Sequence, residues 1–285
     1  MASFRDYQDT ADSWITIVDN PFYPDYLDTA RVTYEPILER FGALLRESKD
    51  SADLLRRIGR EPKIVRGQLQ RVFKNYVSPD TPVEMLKVVG RLERVIDNYG
   101  ARFRPLREVA AEYGSRPHPD EALSAVLAVQ ADRGRKGYEL TSAFFQWFEA
   151  TFGTLYTIVG PVGAGPDVML DKALPEFPKA IPADFLISRE KEPRAVGFAH
   201  YDSDRGGAQE DDRIGGNRDK ITEILAYATR TKSNLKVVLI NDGPGLVLGS
   251  MWRDNADIED AGKGRVLVAT LKMLDDRLTE QWLES

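Results

Sequence analysis

The chain contains no cysteine and only two histidines, His118 and His200, among 285 residues. The first absence excludes a disulfide framework, a thiolate zinc site, an iron–sulfur cluster and a cysteine nucleophile. The scarcity of histidine argues against a multi-histidine metal site within one chain. Any metal is then expected to be a hard cation held by oxygens, such as Mg2+. No apolar run approaches the ~18 residues of a membrane span, and the opening Met-Ala-Ser-Phe-Arg-Asp lacks the apolar core of a signal peptide. The expectation is a soluble, cytoplasmic protein with no membrane partner. Positive charge is in deficit as well: 39 Lys+Arg stand against 45 Asp+Glu, a net charge of −6, which at first sight argues against nucleic acid.

What is present is an ordinary globular composition, 42% apolar and 29% charged, long enough for one large domain or two modest ones. The periodicity changes near residue 150. Residues 1–150 carry a net charge of −1 and residues 151–285 a net of −5. We therefore expect a mainly helical region over 1–150 and an α/β core over 151–285. In the first region Leu27, Ala30, Tyr34, Ile37, Leu38, Phe41 and Leu45 recur at three- and four-residue spacings and predict a helix over 26–48. Ser51 reads as the N-cap of a short helix ended by Gly59. Another helix is predicted over 63–76. Thr81-Pro82 reads as the start of one carrying Met85, Val88, Leu92 and Ile96, and a long helical pattern extends to about Phe152. In the second region the sequence predicts strands at 154–159, 183–187, 195–201, 235–240 and 265–270. A hairpin centred near Glu190 joins the second and third, and a helix over 209–231 is interrupted or kinked at Gly215-Gly216.

The densest chemistry is Tyr201-Asp-Ser-Asp-Arg-Gly-Gly-Ala-Gln-Glu-Asp-Asp-Arg213, with five carboxylates and two arginines after an apolar strand. A solvated acidic loop is the plain alternative. Carboxylates at a strand end beside permissive glycines suit a hard cation. A helix starting near 209 puts Glu210, Ile214, Asn217, Ile221 and Ile224 on one face. An inward Glu210 then needs a partner, and a cation shared with Asp184 and with Asp202 or Asp204 supplies one.

This constellation resembles the PD-(D/E)XK nuclease superfamily, and within it the type II restriction endonucleases. Ile181-Pro-Ala-Asp184-Phe-Leu-Ile-Ser188 is similar to the family's first motif strand, and residues 195–202 to its second. The resemblance covers roughly residues 150–285. It departs from the family where the second strand should carry an acidic residue and a lysine two apart, since His200 and Asp202 stand there instead. The resemblance implies a mixed central sheet flanked by helices and a Mg2+-dependent, sequence-specific double-stranded DNA endonuclease. It also implies a homodimer matched to a palindromic site, with the helical region over 1–150 serving DNA binding and/or dimerisation. It makes Asp184, Asp202 and Glu210 metal ligands, and His200 or Lys220 the group on the water or scissile phosphate. Arg205 and Arg213 are expected to touch phosphate or to pair with neighbouring acids. The departure leaves open a DNA-binding or regulatory protein with a degenerate core. A hydrolase of small phosphorylated molecules is a third possibility.

Pro166-Asp167 is a competing motif pair, after Gly160-Pro-Val-Gly-Ala-Gly; that loop lacks both the P-loop and the G-x-G-x-x-G spacing. Residues 54–74 hold seven cations against Glu61 alone. Lys63, Arg66, Arg71 and Lys74 can form a phosphate-facing surface, with Gln68 and Gln70 placed to read base edges. A solvated helix face is the alternative. The aromatic run at 144–148 reads as core or a dimer interface, and Met251-Trp252-Arg253 as packing or a groove contact.

Overall fold

The computed structural model describes residues 2–19, 21–81, 83–132, 135–163, 165–203 and 208–285. Residues 89, 131, 132 and 208–213 are described by backbone alone. The chain forms two compact units, one of residues 20–133 and one of residues 1–19 with 134–285. The cut near residue 150 is thereby corrected, because both the N-terminal segment and the helix ending at Phe152 belong with the sheet. The partition of charge sharpens with it. The first unit has 19 basic and 17 acidic residues, a net of +2, and the second has 20 and 28, a net of −8.

The N-terminal segment makes a 3-10 turn, Phe4–Thr10, and a short helix α1 (Ala11–Trp14). Phe4 stacks on Trp252 at 4.3 Å, so this segment closes the core of the sheet unit. The helical unit then contains α2 (Tyr26–Glu47), α3 (Ser51–Gly59), α4 (Lys63–Tyr76), α5 (Val83–Lys87), α6 (Leu92–Tyr99), α7 (Leu106–Ser115) and α8 (Glu121–Asp132). Its core is the apolar stripe that periodicity singled out: Tyr34, Leu38, Phe41 and Leu45 of α2 meet Leu54, Leu55 and Ile58 of α3 and Leu69, Val72 and Phe73 of α4. Two local readings are corrected. The cap of α3 is Asp50, whose carboxylate accepts from the Asp53 amide at 2.8 Å, and Ser51 is the first helical residue. The helix expected through Met85 and Ile96 is two helices, α5 and α6, joined by the 3-10 turn Val89–Arg91.

The sheet unit continues with α9 (Arg135–Phe152), then β1 (Thr157–Val159), β2 (Val168–Met169), α10 (Leu170–Ala173), β3 (Pro182–Ala183), β4 (Phe185–Arg189) and β5 (Glu192–Tyr201). It ends with α11 (Ala208–Thr231), β6 (Lys236–Asp242), α12 (Met251–Ala261), β7 (Val266–Ala269), α13 (Leu274–Arg277) and α14 (Glu280–Glu284). Five strands form one mixed sheet in the order β1-β4-β5-β6-β7; β4 is antiparallel to β1 and β5, whereas β5, β6 and β7 run parallel. The α/β class with a mixed sheet is therefore as expected, and so is the hairpin, which turns at Glu190 and Lys191 with φ of 49° and 71°. β2 and β3 form a separate small ladder.

Side chains alternate across the sheet. Phe185 and Gly197 are directly opposite each other on the face covered by α9, where Phe185 meets Phe144 and Phe145. The aromatic run of α9 is thus core. The other face takes α11, on which Ile214, Asn217, Ile221 and Ile224 are all buried; α11 is one unbroken helix through Gly215-Gly216. Met251 and Trp252 are also packing residues, buried at the start of α12.

Candidate functional site

Asp184 sits where β4 and β5 part. Its amide donates to the Gly197 carbonyl at 3.0 Å, and its Oδ2 accepts from the Ala199 amide at 2.8 Å. The carboxylate thus replaces the next backbone rung, and β5 runs on past it beside β6 alone, through His200 and Tyr201. Asp184 is half-buried, and its Oδ1 has no partner among the described residues. By register it lies opposite Phe198, on the α11 face. Lys220 reaches that face from α11, its ammonium 4.7 Å from the centre of the Phe198 ring. Lys220 also lines a cleft of about 360 Å³ with Lys179, Ile181, Asp219, Thr222 and Glu223. Asp184 thus stands at the fork, His200 lies two residues past Phe198 on β5, and Lys220 reaches the Phe198 ring from α11.

Asp202 follows β5 and is 7% exposed. Its backbone is clamped on both sides: its amide donates to the Asp242 carbonyl and its carbonyl accepts from the Gly245 amide, both at 2.8 Å. Gly243 makes this possible, since it adopts φ of +103° and a Cβ there would lie 2.4 Å from the Asp202 carbonyl oxygen. Asn241 and Asp242 are the last residues of β6, and the turn begins at Gly243. Asp204 and Arg205 lie outside the described residues, as do the side chains of Glu210 and Arg213. Among the described residues, no group of three or more histidines and carboxylates is placed to hold a metal ion. Asp167, the competing motif residue, is exposed and stands just before β2, whose first residue Val168 pairs with Ala183, the residue that precedes Asp184.

Two residues at this end of the sheet were not singled out from the sequence. Asn241 is the register partner of His200; it is 2% exposed, donates to Asn255 Oδ1, and its own Oδ1 is buried without a partner among the described residues. Asp242 is fully buried and accepts from the amides of Thr16 (2.6 Å), Gly243 (2.7 Å) and Leu271 (2.9 Å). Burial pushes its carboxyl above the usual carboxylate range in spite of these three bonds. It is a clamp that ties the N-terminal segment and the end of β7 to β6, with both of its oxygens engaged by backbone amides. The signal for both was a polar pair ending an otherwise apolar strand.

In the helical unit the basic stretch resolves into paired and unpaired cations. Arg56 binds Glu93 through two nitrogens, Arg57 binds Asp53 and Glu47, and the lone acid Glu61 is neutralised by Arg40. Lys63, Arg71, Lys74 and Arg60 make no ion pair among the described residues. Arg66 is separated from them: it lies off their face of α4, its guanidinium 3.5 Å from the Gly59 carbonyl. The expectation for Gln70 is corrected, since it is fully buried and its amide donates to the Leu86 carbonyl; Gln68 is on the surface side, accepting from Arg71.

No family model, no curated protein and no solved structure matches this chain. The class that the fold itself defines is an α/β protein with a mixed five-stranded sheet, joined to a helical unit. No helix of the described residues is long and apolar enough to cross a membrane.

Proposed function

We propose that the protein is a Mg2+-dependent, sequence-specific double-stranded DNA endonuclease of the type II restriction kind. The observation that carries this reading is the strand fork: a hairpin parting at a half-buried aspartate whose Oδ1 has no partner among the described residues, next to a strand over which the crossover helix holds Lys220, against the Phe198 ring. The succession of hairpin, crossover helix and two further parallel strands supports the PD-(D/E)XK resemblance. Carboxylate oxygens such as those of Asp184 and Asp202 are the hard donors that Mg2+ takes, while the imidazole of His200 is no ligand for it. Asp184 would hold the ion with Asp202 or Glu210. When bound, the cation offsets charge on the scissile phosphate and lowers the pKa of a water. The Ala199 amide fixes the aim of Asp184, and the ammonium of Lys220 and the imidazole of His200 serve to bind the phosphate. The uncompensated cations of α4 bind the duplex, and a homodimer matches a palindromic site.

The test is digestion of a long mixed-sequence DNA with Mg2+ and with EDTA. Discrete fragments are expected only with Mg2+. Asp184→Asn keeps the acceptor for the Ala199 amide and removes the charge, so it should fold normally and fail to cut; full cutting by this variant refutes the assignment. One observation favours a second reading, a DNA-binding regulatory protein with a degenerate core. His200 and Asp202 stand at the end of β5 where the resemblance calls for an acidic residue and a lysine. Salt-dependent DNA binding with no Mg2+-dependent cleavage selects that reading.

A further inference from the structure

The outer face of α4 has an unusual composition. Lys63, Ile64, Gly67, Gln68, Arg71, Lys74 and Asn75 fall at three- and four-residue spacings within one continuous sector, and Arg60 ends α3 three residues before the helix. The opposite sector holds the buried Leu69, Gln70, Val72 and Phe73. The outer sector therefore carries three cations, two carboxamides, no acid and a single aliphatic side chain, with Arg60 as a fourth cation in the loop before it. That side chain, Ile64, is 83% exposed, the highest value among the large exposed hydrophobic residues that the structure describes. At the middle of the sector a Cβ on Gly67 would meet nothing within 4 Å. A glycine there costs helix stability and is not needed for packing, but it lets a partner come close to the backbone.

We propose that α4 is a major-groove recognition helix in which Ile64 and Gln68 read bases, while Arg60, Lys63, Arg71 and Lys74 hold phosphates. The inference rests on DNA being the partner, and holds whether or not the core cuts. Cations without ion-pair partners match a polyanion. At 14 residues, α4 is about 21 Å long and of a diameter that the major groove admits. A lone isoleucine amid cations is too little apolar surface for a membrane. It suits contact with a thymine methyl, and a carboxamide one turn on suits the donor–acceptor edge of adenine. The structure separates the two glutamines of the helix: Gln70 is consumed by the Leu86 carbonyl, whereas Gln68 is left facing outward.

The test uses the full chain, with EDTA present, on a pool of randomised duplexes. Binding is followed against salt, and the bound sequences are recovered. Lys63→Ala/Arg71→Ala should weaken binding to every duplex and lower the salt slope by roughly 2. Ile64→Ala and Gln68→Ala should leave that slope unchanged and relax preference at separate base positions, each by roughly 5- to 150-fold. Val32→Ala, an exposed apolar change on α2, should do neither. Unchanged binding and slope in the double variant would show DNA to be bound elsewhere and overturn the proposal while sparing the DNA reading. Unchanged preferences in both single variants would overturn base readout by α4. A wild-type chain that binds no duplex at low salt, or that binds anionic lipid vesicles instead, would overturn the DNA reading itself.

Discussion

Gly197→Ala is the most telling perturbation of the core beneath the fork. A Cβ at Gly197 would lie 1.9 Å from Cε2 and Cζ of the Phe185 ring. Carbon–carbon contacts settle near 3.5 Å or beyond, so ring and strand must separate by roughly 1.5 Å. The ring is fully buried and has Phe144 at 4.7 Å and Phe145 at 6.2 Å between centroids, so it has little room to withdraw. Overpacking of this kind costs about 1–3 kcal/mol, and the clash puts this site at the upper end. For a unit of this size that lowers the unfolding midpoint by roughly 5–10 °C. All four tryptophans, Trp14, Trp147, Trp252 and Trp282, lie in the sheet unit, so their fluorescence follows its unfolding without a contribution from the helical unit. Phe185→Ala alone should cost about 3–5 kcal/mol. The double variant should cost less than the sum, because the new methyl occupies space the ring has left, with a coupling of about 0.5–3 kcal/mol. Wild-type stability for Gly197→Ala, or strict additivity in the double variant, would refute the reasoning. Since the Gly197 carbonyl accepts from the Asp184 amide, the same variant should also disturb the fork.

Three further outcomes are expected. Glu259 accepts from the amides of Phe4 and Val268 and from Arg277, whose side chain is 2% exposed; Glu259→Gln strands that guanidinium and should cost about 3–5 kcal/mol by urea unfolding, and a cost under about 1 kcal/mol would refute the pairing. The carboxyl of Asp242 titrates above its ordinary value, so the folded state holds its proton to higher pH than the unfolded state does. The resulting stabilisation is complete below the ordinary carboxylate range and is lost as pH rises through the folded value. The stability of the wild type relative to Asp242→Asn should therefore fall with rising pH across that window, and a flat or rising difference would contradict it. Asp50→Ala removes the N-cap of α3 and should cost about 1 kcal/mol by thermal denaturation; Ser51→Ala loses the hydroxyl bond to the Arg104 carbonyl instead and should leave the cap intact.

The sequence alone determined the elements with strong period. The stripe from Tyr34 to Leu45 foretold α2, the run 63–76 foretold α4 to its ends, and the isoleucines of α11 foretold the face packed on the sheet, because burial imposes spacing on each element separately. It also placed Asp184 opposite Gly197 or Phe198, since a hairpin's turn fixes its register. Tertiary structure decided what depends on meetings between distant segments. The N-terminal segment joins the sheet because Phe4 stacks on Trp252 and Thr16 donates to Asp242, contacts for which no local pattern codes. The change of period near residue 150 was no boundary, since the aromatic face of α9 is completed by Phe185. Two glutamines two residues apart are equivalent in sequence, yet only the packing of α4 decides that Gln70 is spent inside and Gln68 faces out.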